Sequence, residues 1–188
     1  MNNRETLLKS ALELFASRGY DAVGVQEIAA AAGITKPTLY HYFGNKSGLL
    51  ATLLSEYFEP FFTALESAAG YRGDITSSLE AVARTYFDFA RHSPLLYRFS
   101  LALSFAPPQS EAFQAARALN ERQRELLEAL FASASKDHGN MKGHQRTYAA
   151  SFLGMLNTYA LLSLNGSAEL DESWVYPLVH QFMHGIFS

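Results

Sequence analysis

"AGITKPTLYHYFGNK", residues 32–46, places a glycine turn, two lysines and four aromatic or imidazole rings within fifteen positions. Leu39 and Phe43 stand four apart, so on a helix both face one way and anchor it. Thr35 is placed to cap that helix, and Pro37 is tolerated in its first turn, where a missing N–H costs little. The remaining side chains face outward. Upstream, Leu8, Ala11, Leu12 and Phe15 form a stripe on a helix from about Asn3, its expected cap, to Arg18, with Gly19 as the stop. Val25, Ile28, Ala29 and Ala32 mark a short second helix ended by Gly33.

Two short helices joined by a tight glycine turn, the second studded with polar groups, fit a helix-turn-helix reader of duplex DNA and equally an ordinary amphipathic helical hairpin with a solvated face. In the reader, Thr35, Lys36, Pro37 and Thr38 lie in the first turn of the second helix, where side chains meet base edges. Tyr40, His41, Tyr42 and Lys46 carry donors suited to phosphates, which hold a reader in register. The expected partner is a double-stranded DNA operator. The net charge of −3 supplies no bulk attraction. Residues 1–50 hold five Lys/Arg against four Asp/Glu, so binding has to come from where a few cations sit.

The rest of the chain also reads as helix. A long helix from about Lys46 to Ala69 carries Pro60, where a kink is expected. Further helices are expected at 75–91, 94–105, 110–135, 142–164 and 172–187, separated by Pro107-Pro108, His138-Gly139-Asn140 and Asn165-Gly166. No stretch alternates with period two between hairpin turns. The fold class is therefore all-α with about nine helices. Its expected domains are a reader at 1–46 and a larger helical body at 47–188.

At 48 per cent hydrophobic residues and no cysteine, the chain builds its core without disulfides or thiolate metal sites. Its most apolar run, 149–164, is interrupted by Ser151, Asn157, Thr158 and Ser163. That run is shorter than the roughly 20 residues a spanning helix needs. A soluble, cytoplasmic protein with no membrane partner is the expectation.

The tracks "ALELFASRGYDA" and "EIAAAAGITKPTLYHYFGNKSGLL" resemble the TetR-like family of bacterial transcriptional regulators, over roughly residues 5–50. The resemblance rests on LF…RGY, IA…AG, LY.YF and K.GLL at their expected intervals. It implies a three-helix DNA-binding domain on a larger helical body, dimeric, and usually a repressor released by a small ligand. By position it implies DNA contacts from the same eight residues, Thr35 to Lys46. Val23-Gly24-Val25 departs from the family, where a Thr/Ser pair usually opens the second helix. That leaves at most a backbone N–H for phosphate. Pro37 stands where glycine is also usual.

In the body, two late helices are apolar over wide arcs. Phe152, Met155, Tyr159, Val175, Val179, Phe182, Met183 and Ile186 are the expected dimer contacts, in a symmetric four-helix interface. Among the many rings between Tyr57 and Phe131, an apolar ligand pocket with few polar anchors is expected. Its candidate residues are Phe58, Phe62, Tyr86, Phe89, Arg98 and Tyr159.

Two other classes compete. His180 and His184 stand at i and i+4, as metal ligands can, but no glutamate follows His180 and no third ligand is evident nearby. Neither a catalytic acid pair nor a phosphate-cradling glycine loop is evident, so no cofactor, metal or enzymatic activity is expected. A helical interaction module would leave Lys36, Thr38, Tyr40 and Lys46 without purpose.

Overall fold

A computed structural model describes residues 2–185. Among them are nine α-helices and no strand. The helices are α1 Asn3–Arg18, α2 Val25–Ala31, α3 Lys36–Phe43, α4 Lys46–Ala68, α5 Ile75–His92, α6 Pro94–Ser104, α7 Glu111–Ala134, α8 Gln145–Leu164 and α9 Val175–His184. The all-α expectation holds.

Several boundaries moved for identifiable reasons. Asn2, not Asn3, caps α1: its side chain accepts the Glu5 N–H at 2.9 Å, while Glu5 accepts the Asn2 N–H at 3.1 Å. Thr35 occupies the cap position of α3 without making the capping bond. Its hydroxyl instead meets that of Thr38 at 2.9 Å. The eighth helix starts at Gln145 rather than Lys142, because Gly139–Met141 forms a 3-10 turn and Gly143 adopts φ +85°. Glu172–Trp174 is likewise a 3-10 turn ahead of α9. Helix α4 passes through Pro60 as one element.

The chain divides into two compact units, Met1–Glu59 with Leu95–Asn120, and Pro60–Pro94 with Glu121–Ser188. In the first unit α1, α2 and α3 pack on one another around Leu8, Phe15, Ile28 and Leu39, each at most 1 % exposed. Burying each such side chain contributes about 2 kcal/mol. Phe15 also stacks on Phe99 of α6, ring centroids 5.9 Å apart. The second unit is organised on α5, which packs against α8 and α9. Leu79, Val82, Ala83 and Tyr86, spaced three and four apart, are its buried stripe.

Candidate nucleic-acid interface

Leu39 is fully buried and Phe43 nearly so, and they turn the rest of α3 outward. Thr35, Lys36, Pro37, His41, Tyr40 and Tyr42 are exposed, and Thr38 is half-buried. The two tyrosines keep 40 % and 41 % of their surface in solvent, unusually much for such large rings. Lys36 Nζ lies 5.6 Å from the Tyr40 ring centroid, and His41 meets Tyr42 edge-on at 5.5 Å. Seven of the eight expected contact residues thus fall on or immediately before one eight-residue helix.

The eighth, Lys46, is the first residue of α4, and the α3–α4 turn fixes it there. Gly44 ends α3 at φ +74°, a conformation that excludes side chains. Asn45 then caps α4 by accepting the Gly48 N–H at 2.7 Å. A Cβ on Gly48 would stand 2.1 Å from the Phe43 carbonyl oxygen, so only glycine allows the turn to close. Lys46 Nζ rests 4.1 Å from the centroid of the buried Tyr20 ring. The Tyr20 hydroxyl donates to Glu111 Oε2 at 2.5 Å. Burial and that carboxylate push the Tyr20 phenol well above its ordinary range, so it stays a donor. Among the described residues neither Lys36 nor Lys46 is ion-paired to a carboxylate.

Other groups stiffen the reader. Arg4 forms a two-pronged ion pair with Glu56, one arm at 2.9 Å, and its guanidinium covers the Phe43 ring at 5.6 Å. At the start of α2 the Gly24 N–H donates to Glu27 Oε2 at 3.1 Å, and Glu27 also pairs with Arg18 at 2.5 Å. The Gly24 N–H is therefore already engaged within the chain. The Gly24 N–H and Arg18 hold the Glu27 carboxyl below its usual range. The signal for this was present in the sequence, since Glu27 stands three residues after the cap position. Tyr20 and Glu111, 91 positions apart, carried no such signal.

Three of the six expected ligand residues share one aromatic cluster. Phe62, Tyr86 and Phe89 gather around Phe61, whose ring lies 5.5, 5.1 and 4.6 Å from theirs. Tyr86 donates to Gln123 at 2.8 Å, and Arg122 lies over Phe62 at 4.1 Å. Tyr159 stands elsewhere in that unit, edge-on to Trp174 at 5.5 Å. Phe58 is buried and Arg98 exposed, both in the first unit. Of the expected dimer residues, Phe152, Val175 and Val179 are buried within the chain itself. Met155, Tyr159, Phe182 and Met183 are half-buried, and Ile186 lies outside the described residues. Leu162 and Tyr176 are the large apolar side chains that α8 and α9 leave exposed among those residues. The His180 and His184 rings lie 4.6 Å apart, tilted by 44°, and no group of three metal-ligating side chains exists among the described residues. No described helix is long and apolar enough to cross a membrane.

Residues 7–53 match the family model described as bacterial regulatory proteins, tetR family. The chain is similar to the HTH-type transcriptional activator FasR of Mycolicibacterium smegmatis, 29 % identical over 97 % of this chain and 81 % of that protein. It is 31 % identical to the HTH-type transcriptional repressor KstR2 of Rhodococcus jostii, over 71 % of this chain and 66 % of that one. Its fold is that of the transcriptional regulator FadR from Bacillus subtilis, solved with stearoyl-CoA, at a TM-score of 0.80 and 20 % identity, covering 97 % and 98 % of the two chains.

Proposed function

Because the chain belongs to the TetR-like family of bacterial transcriptional regulators, we propose that it acts as a dimeric repressor whose hold on an operator is released by a small molecule. The carrying observation is α3 itself: one buried side, Leu39 and Phe43, and one side of hydroxyls, rings and cations turned to solvent. Thr35, Lys36, Pro37 and Thr38 read base edges in the major groove, Pro37 by apolar contact with a thymine methyl. Tyr40, His41, Tyr42 and Lys46 hold phosphates.

Two cations per reader are few. A dimer doubles every contact and sets two recognition helices about 34–36 Å apart, one DNA turn. The exposed Leu162 and Tyr176 support pairing through α8 and α9, with Met155, Tyr159, Phe182 and Met183 beside them. Helix α4 begins at the phosphate-binding Lys46, so a ligand that favours one setting of α4 changes reader spacing. Only a ligand with unequal affinity for the two settings does this. The relative solved with stearoyl-CoA supports an acyl compound as that ligand.

A fragment of the protein's own upstream DNA should be shifted at nanomolar dimer and lost in raised salt. Retention of that complex at high salt, or none at low salt, contradicts the proposal.

A further inference from the structure

Tyr176, His180 and His184 follow one another at intervals of four on α9, so their rings run in one line along the helix. The rings are in successive contact, with centroids 5.6 Å apart for the first two and 4.6 Å for the imidazoles. Tyr176 keeps 62 % of its surface in solvent, His184 is exposed and His180 is half-buried. Among the described residues neither imidazole makes an ion pair or a hydrogen bond. Neither ring is therefore committed to a polar partner within the chain.

Two histidines one helical turn apart can grip one divalent transition ion, since imidazole is a preferred donor to zinc, copper and nickel. With metal–nitrogen bonds of about 2.0–2.1 Å, two rings on one tetrahedral ion have centres about 5 Å apart. The observed 4.6 Å is close to that separation. His184 also lies in the last turn of α9, where unsatisfied carbonyls favour a cation. The chain has no cysteine, and no third His, Asp or Glu joins the pair among the described residues. A closed zinc site takes four ligands, so one chain supplies half of one. The other half has a source. The line of rings begins at Tyr176, one of the exposed side chains that support pairing through α8 and α9. In a two-fold dimer one face meets itself, and a histidine pair on that face is presented twice.

We propose that His180 and His184 bind a divalent transition-metal ion of the zinc type, and that the same pair from a second copy completes a four-ligand site across the seam. The sharing rests on the dimeric reading above. The test uses the full chain, stripped of metal by chelator and titrated with Zn²⁺ by calorimetry. Zinc should bind at one ion per two chains with submicromolar affinity, and sedimentation should show the dimer dissociation constant falling at least tenfold. Co²⁺ in its place should give the intense visible bands of a tetrahedral ion. His180→Ala and His184→Ala should each weaken zinc binding at least tenfold, while His138→Ala and His144→Ala leave it unchanged. Unfolding midpoints in chelator identify the variants that fold as the wild type does. No zinc binding at micromolar ion, or undiminished binding in a folded His180→Ala or His184→Ala variant, overturns the site. One ion per chain with the weak bands of octahedral Co²⁺, in a protein that stays dimeric in chelator, overturns the shared site and leaves the dimer standing. A protein that is monomeric with and without the ion contradicts the dimeric reading and the shared site together.

Discussion

The ammonium of Lys46 lies 4.1 Å from the centroid of the Tyr20 ring, whose hydroxyl is held by Glu111 at the first turn of α7. A cation over a ring gains about 0.5–1 kcal/mol at a partly exposed site. A carboxylate accepting from the phenol enriches that ring in electrons and strengthens the perch. On the proposed role of Lys46, DNA phosphate competes with Tyr20 for its ammonium. Tyr20→Phe keeps the ring but breaks the tie to α7. It should leave the salt slope of DNA binding near wild type while changing how far a bound ligand lowers affinity. An unaltered ligand effect would remove Glu111 from the coupling.

Lys46→Ala should weaken cognate and random duplexes about equally. Each chain then loses roughly one phosphate contact, and the logarithmic salt slope falls by about 0.9 per chain. The measurement is binding across a salt series on both duplexes. A change in sequence preference with an unaltered slope would contradict a phosphate role.

Thr38→Ala should do the opposite. Its hydroxyl meets that of Thr35 at 2.9 Å, so the pair presents a fixed donor and acceptor at the start of α3. Discrimination at one base position should fall by about 1 kcal/mol, at the low end for a base contact, with affinity for random DNA unchanged. Competition with single-base operator variants reads this directly.

Gly48→Ala brings a Cβ to 2.1 Å from the Phe43 carbonyl oxygen, which belongs to the backbone and cannot swing away. The variant should lose about 2–3 kcal/mol of stability and its DNA binding with it. Thermal unfolding compared with Gly139→Ala, where the added Cβ meets nothing within 4 Å, provides the control.

Acid should loosen the reader. The carboxyls of Glu27 and Glu56 are both held below their ordinary value of 4.5, the first by the Gly24 N–H and Arg18, the second by Arg4. A depressed folded value means the stabilisation is fully present above about pH 4.5 and is lost as pH falls through the folded values. Thermal midpoints should drop below pH 4.5, and the drop should be shallower in Glu27→Gln and Glu56→Gln. Parallel curves for all three proteins would contradict the assignment.

What the sequence reveals follows from distance along the chain. Leu39 and Phe43 declare the buried side of α3 because four residues make one helical turn, and Gly44 declares its end. Thr35 stands at the cap position of α3, yet its hydroxyl pairs with that of Thr38 instead of a backbone N–H. Tyr20–Glu111 joins segments tens of residues apart, which no local pattern encodes. The wide apolar arcs of α8 and α9 were ambiguous for another reason. A helix packed on α5 from one side buries Phe152, Val175 and Val179 in its own chain, and the sequence does not say which part of an arc faces inward.

Selection of bound duplexes from random DNA by the purified dimer tests the reader most directly. Enriched sites should be inverted repeats with half-sites centred about one helical turn, or a whole multiple of it, apart. Enrichment should vanish when Thr38 and Tyr40 are both replaced by alanine. Recovery of no common sequence, or of the same sequence from that double variant, would show that α3 does not read DNA.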